Sequence, residues 1–155
     1  MPGHLQTFVV HATEKAARDL ESALRRLPED KWAWSAGGRA RTAIDQVAEC
    51  ALVNAGFAKV IARRAWPEDY SMEKFGQEHA QLTADPARAV TLLKEETDSL
   101  VIAIAGVSDE ELGHEVRMAW GPMTLDHMIT HGYWNMSYHE AQINYIGAIL
   151  GVEAE

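Results

Sequence analysis

The sequence contains a single cysteine, Cys50, in 155 residues. No disulfide can form within one chain, and a reducing, cytoplasmic setting is the expectation. Positive charge is scarce as well: 14 Lys and Arg stand against 23 Asp and Glu, a formal net charge of -9. That balance speaks against nucleic acid and anionic membranes as general partners. No apolar run reaches the length of a membrane span, and the start carries no basic-then-apolar leader, so no membrane partner is expected. There is no internal repeat, no low-complexity tract, no phosphate-cradling glycine loop and no HExxH motif. The expectation that remains is a single domain over 1–155, long enough to bury a sizeable core.

What the chain does have is helical periodicity. Leu5, Phe8, Ala12, Ala16, Leu20, Ala23 and Leu27 make one continuous stripe, which Pro28 ends; His4 and His11 sit off its centre, as rim histidines. Trp32 and Trp34 follow in a short connection and are expected to close one end of the core, before a turn at Gly37 and Gly38. A second stripe runs through Ala43, Val47, Cys50, Val53, Phe57, Val60 and Ile61, behind a Thr42–Asp45 capping pair. Asp85 and Pro86 open a third, as cap and first helical residue. In the last stretch Leu125, Met128, Ile143, Ile146 and Leu150 fall within a sector of roughly 60° at about 100° per residue. Four helices are therefore expected, near 5–27, 42–64, 86–105 and 124–150. The connection 65–84 is long for a simple turn and has room for a short helix around 71–79. Such a crossover lets the second and third helices run parallel, giving an all-α, up-down-down-up four-helix bundle. Between the third and fourth helices, polar and apolar residues alternate from Glu115 to Trp120, the pattern of a short extended segment or irregular loop.

The last helix carries polar groups where a core face should be apolar. Asn135, His139 and Gln142 lie in or beside the apolar sector, and His131 lies at its edge. Buried polar groups need partners, which can be a metal, water or another side chain. Glu49 projects near the edge of the second stripe; there its stem can pack while its carboxylate reaches water, or it can be paired or metal-bound. Histidine and carboxylate together can hold zinc, nickel or iron. His131, Asn135 and His139 are spaced i, i+4, i+8, so adjacent members can share an ion, while the outer two are separated by roughly 12 Å of rise. Gln142 can hydrogen-bond a ligand or orient one. A metal-free network of Glu49, Asn135, His139 and Gln142 accounts for the same residues. Cys50 reads as a small buried hydrophobe, not a nucleophile.

The run Tyr138-His139-Glu140-Ala141-Gln142-Ile143-Asn144-Tyr145 resembles the DinB-like family, which shares a metal-bound four-helix bundle with the YfiT-like proteins. The resemblance implies one divalent metal held by a histidine of the second helix and an i, i+4 histidine pair of the last. On this chain those positions fall at Glu49, within Val47-Ala48-Glu49-Cys50-Ala51, and at Asn135 and His139. Only His139 keeps the family's residue. The resemblance further implies transfer of a low-molecular-weight thiol, such as mycothiol or bacillithiol, to an electrophilic small molecule. Glu49, His139 and Asn135 would hold the ion, with His131 and Gln142 beside them. The alternative is a non-catalytic small-molecule-binding or stress-associated protein with a degenerate metal site. Five tryptophans and broad apolar helix faces exceed one core, and relatives pair through helix faces, so a homodimer is expected.

Overall fold

The computed structural model describes residues 3–152. The ends of the expected 1–155 domain, residues 1–2 and 153–155, lie outside the described residues. Among the described residues there are five α-helices: α1 (His4–Arg26), α2 (Ala43–Arg63), α3 (Met72–Ala84), α4 (Pro86–Ala105) and α5 (Leu125–Ile149). A hairpin of β1 (Glu115–Met118) and β2 (Gly121–Thr124) precedes α5. No helix among the described residues is long and apolar enough to cross a membrane.

Helices α2, α3 and α4 start at side chains that accept a hydrogen bond from a first-turn amide. Thr42 accepts from the Asp45 amide at 3.2 Å, and Asp85 from the Arg88 amide at 3.1 Å with Pro86 at the first turn. Ser71 does the same for α3, accepting from Lys74 at 3.1 Å. Thr124 occupies the cap position of α5 but turns its hydroxyl to Asp126. The first amides of α5 donate instead to loop carbonyls, Leu125 to His114 and Asp126 to Leu112, each at 3.0 Å.

The core divides into two clusters stacked along the bundle. One joins Leu20 and Leu24 of α1, Ile44 and Val47 of α2, Leu93 of α4, and Met136 and Ile143 of α5. The other joins Val9 of α1, Phe57 and Ile61 of α2, Leu100 and Ile104 of α4, and Leu125 and Met128 of α5. Each cluster takes the late part of α1 and α5 with the early part of α2 and α4, or the reverse. So α1 and α5 run one way, and α2 and α4 the other. Around the bundle α1 packs on α4 and α5, and α2 packs on the same two. That ring places α2 directly beside α5.

The crossover helix runs through Ala84, beyond the expected end at 79, and packs on α2 and α4. It buries only Leu82, so its second half carries no apolar stripe to read. The alternating segment pairs as an antiparallel hairpin, Val116 opposite Met123 and Met118 opposite Gly121. Val116 and Met118 face inward onto the second cluster. Gly121 sits at φ 125, a turn conformation that a side chain strains. Trp32 closes the opposite end, its indole N–H donating to the Leu27 carbonyl at 3.1 Å.

Candidate functional site

Where α2 passes α5, polar side chains meet inside the bundle. The i, i+4, i+8 spacing of Arg41, Asp45 and Glu49 aligns them along the start of α2. The Arg41 guanidinium donates to the carboxylates of both Asp45 and Glu49. Its remaining nitrogen, Nη2, donates to the Asp45 carbonyl at 3.3 Å. From α3, His79 Nε2 lies 3.1 Å from Asp45 Oδ1 and 2.9 Å from the Asp45 carbonyl oxygen. From α5, His139 Nε2 lies 3.2 Å from Glu49 Oε1. His139 Nδ1 meets two amide oxygens, Gln46 Oε1 at 2.9 Å and Gln142 Oε1 at 3.0 Å. Oxygen atoms thus face both ring nitrogens.

Burial makes this network consequential. His139 is 3% exposed and Gln46 2%. The Glu49 carboxyl is held down at about 2 by the hydrogen bond from His139 and the Arg41 guanidinium, against the opposing pull of burial. Arg41 is itself half buried, which works against its charge; the bonds to Asp45 and Glu49 outweigh that and raise its pKa. Burial pushes the Cys50 thiol well up, so it carries no thiolate for nucleophilic work.

Of the five residues singled out from sequence, Glu49, His139 and Gln142 are joined here by hydrogen bonds. Asn135 is buried one turn before His139, but its amide donates to Cys50 Sγ at 3.6 Å. His131 stacks on Phe57 with ring centroids 4.3 Å apart and makes no hydrogen bond to the pair; burial lowers its pKa. Arg41, Gln46 and His79 complete the network and carried no apolar-face signal. The i, i+4, i+8 spacing of Arg41, Asp45 and Glu49 is the sequence feature that marks Arg41; Gln46 and His79 have none.

The donor set is incomplete for the three-ligand metal centre that the family resemblance implies. Among the described residues no group of three or more His, Cys, Asp or Glu side chains is placed to hold an ion. Glu49 and His139 supply two good donors; the third would be the amide oxygen of Asn135, a weaker ligand than imidazole, on a side chain whose NH2 donates to Cys50 Sγ. The guanidinium on Glu49 puts positive charge beside the position a cation would take. Next to the network lies a cavity of about 560 Å³, lined by Arg39, Arg41, Gln46, Tyr138, Gln142 and Tyr145 among others. Its walls are mainly apolar, and the two glutamine amides place the network on its lining.

A family model described as the DinB superfamily matches residues 12–143. Among solved structures the chain is similar to YfiT from Bacillus subtilis, described as a probable metal-dependent hydrolase with an unusual four-helix bundle topology. The TM-score is 0.78 at 15% identity, covering 96% of this chain and 89% of that one. It is also similar to a mycothiol-dependent maleylpyruvate isomerase, with TM-score 0.71 and 14% identity over 89% of this chain; it spans 60% of the isomerase. The colibactin self-resistance protein ClbS, solved with double-stranded DNA, matches with TM-score 0.62 and 14% identity, over 92% and 95% of the two chains. Likeness at these identities concerns the fold alone. Among curated proteins, none matches the sequence. The ClbS complex corrects one expectation drawn from net charge: proteins of this fold do not as a class exclude nucleic acid.

Proposed function

The chain belongs to the DinB superfamily, and we propose that it binds an organic small molecule in the cavity beside Glu49 and His139, without a metal. The observation that carries this is the Arg41–Glu49–His139 network, which satisfies its own charges and opens through Gln46 and Gln142 onto an apolar cavity. Tyr138 and Tyr145 suit an apolar or aromatic body, and Arg39 at the lining suits an anionic or acceptor group. A second reading keeps the family's chemistry: metal-dependent transfer of a low-molecular-weight thiol to an electrophile, with zinc, nickel or iron on Glu49, His139 and Asn135. It is favoured by the 3.2 Å approach of His139 Nε2 to Glu49 Oε1 and by the mycothiol-dependent neighbour.

Elemental analysis of tag-free protein purified without added metal separates the two. The expected result is well under one equivalent of zinc, nickel or iron, and no calorimetric signal on titration with zinc. Stoichiometric metal that disappears in His139→Ala would establish the second reading instead. For the cavity, thermal-shift measurements with aromatic carboxylates should show stabilisation of the original protein and none of Gln142→Ala. A ligand at one hundred times its Kd adds about 2.7 kcal/mol, which is readily seen.

A homodimer and a cytoplasmic location belong to the same proposal. Phe8 and Ile102, on neighbouring helices α1 and α4, are exposed and support pairing through helix faces. Sedimentation equilibrium at micromolar concentration should give twice 17.2 kDa, and a monomer would remove the dimer. The buried, unpaired Cys50 supports a reducing compartment.

A further inference from the structure

We propose that Arg41 is the resident cation of the site: its guanidinium takes the electrostatic place of a metal ion and keeps divalent ions out. The proposal rests on the metal-free reading above and gives it a cause. Arg41 immediately precedes the Thr42 cap, so its backbone is tied to the start of α2. All three guanidinium nitrogens are engaged: Nε on the Asp45 carboxylate, Nη2 on the Asp45 carbonyl and Nη1 on Glu49. Asp45 is held in turn by His79 from α3, on both its carboxylate and its carbonyl. Asp45 is thus a positioning residue that aims Arg41 at Glu49, and the crossover helix fixes Asp45.

Electrostatics gives this arrangement its consequence. Glu49 Oε2 faces the guanidinium and Oε1 faces His139, so both oxygens of the carboxylate that would bind an ion are already engaged. A divalent ion on Glu49 and His139 would sit beside the guanidinium, and the second carboxylate, Asp45, is held on that guanidinium and on His79 and not grouped with the pair to hold an ion. Loss of the family's imidazole at Asn135 removes a ligand, and Arg41 removes the charge that would attract the ion. Restoring the ligand alone should therefore leave the site weak.

The test is zinc titration calorimetry on tag-free Asn135→His, Arg41→Met/Asn135→His and Arg41→Lys/Asn135→His, beside the original protein. Far-UV circular dichroism verifies the fold of each. Arg41→Met keeps an apolar stem and drops the charge; Arg41→Lys keeps the charge and drops the fork geometry. The charge-free double variant should bind one zinc at least a hundredfold more tightly than Asn135→His. The lysine double variant should stay within about tenfold of Asn135→His. Should Arg41→Met not fold, Arg41→Gln supports the same comparison. Equal affinities for Asn135→His and the folded charge-free double variant would overturn the role of Arg41 while leaving the metal-free reading intact. Tight one-to-one zinc binding by the original protein would overturn both.

Discussion

Replacing His139 by alanine is expected to destabilise the fold by about 3 kcal/mol or more, with the same loss in the presence of a chelator. Three oxygens lose their ring-nitrogen partner at once: Gln46 Oε1, Gln142 Oε1 and Glu49 Oε1. A buried acceptor left without a partner costs about 1–3 kcal/mol, and Gln46 is 2% exposed. The vacated ring volume adds a cavity term. Insensitivity to chelator is what separates a hydrogen-bonded network from a metal-stabilised one, in which removing metal from the original protein would itself lower stability. Glu49→Gln should cost less in the His139→Ala background than in the original protein, because one of the carboxylate's two partners is already gone. A double-mutant cycle should therefore show coupling of about 1–3 kcal/mol between the two positions.

The same pair has a pH signature with a definite sign. The Glu49 carboxyl is lowered from an ordinary 4.5 to about 2 in the folded protein. A depressed carboxyl contributes stability that is fully present above its unfolded value and is lost as pH falls through the folded one. Stability should thus fall between about pH 4.5 and pH 2. With the Glu49 side chain 26% exposed, solvent screening trims the loss to about 2 kcal/mol. In His139→Ala the largest cause of the depression is gone, so the acid limb should be shallower and start from a lower plateau. Urea unfolding of both proteins at pH 7 and pH 3 measures this; an unchanged acid limb, or a cost below 1 kcal/mol at pH 7, would count against the network.

Much of the bundle was legible because each long helix buries one stripe between local stop signals. Pro28 closes α1, while Thr42 and Asp85-Pro86 open α2 and α4. The full length of the crossover helix is not legible because only Leu82 is buried, leaving its exposed turns without periodicity. The hairpin was half legible: Val116 and Met118 alternate, but a partner strand containing Gly121 and Pro122 carries the residues of a turn. In the site, Glu49, His139 and Gln142 stood out as polar groups on or beside apolar faces. Arg41 did not, since it precedes the second stripe, and Asp45 carried a sufficient explanation as part of a cap. His79 reaches the network only through the packing of α3 on α2, which no local pattern encodes. His131 shows the opposite failing: a position at the edge of the apolar sector suits a ligand and an aromatic stack equally, and here its ring lies on Phe57.

Gly132→Val should destabilise by about 3 kcal/mol, and the loss should be largely relieved by Leu100→Ala. A Cβ at position 132 would lie 2.5 Å from Leu100 Cδ2 and 3.4 Å from Asn54 Oδ1. Leu100 is fully buried at 0% exposure, so its methyl has no free volume into which to move. Helix propensity alone argues the other way, since glycine inside a helix is about 1 kcal/mol worse than alanine. A net loss is therefore a measure of how closely the Leu100 side chain reaches across the core to the backbone of α5. Leu100→Ala on its own should cost about 2–5 kcal/mol through the cavity it leaves. Together the two changes exchange volume across one contact, so the double variant should be no less stable than the worse single one, a deficit well short of the sum. The consequence reaches the site because Gly132 lies two turns before His139 on the same helix. Pushing α5 outward at Gly132 should loosen His139 from Glu49, and the acid limb of stability should become shallower in Gly132→Val and return in the double variant. Additive costs, or an acid limb unchanged in Gly132→Val, would show that α5 does not transmit the packing at Gly132 to the site.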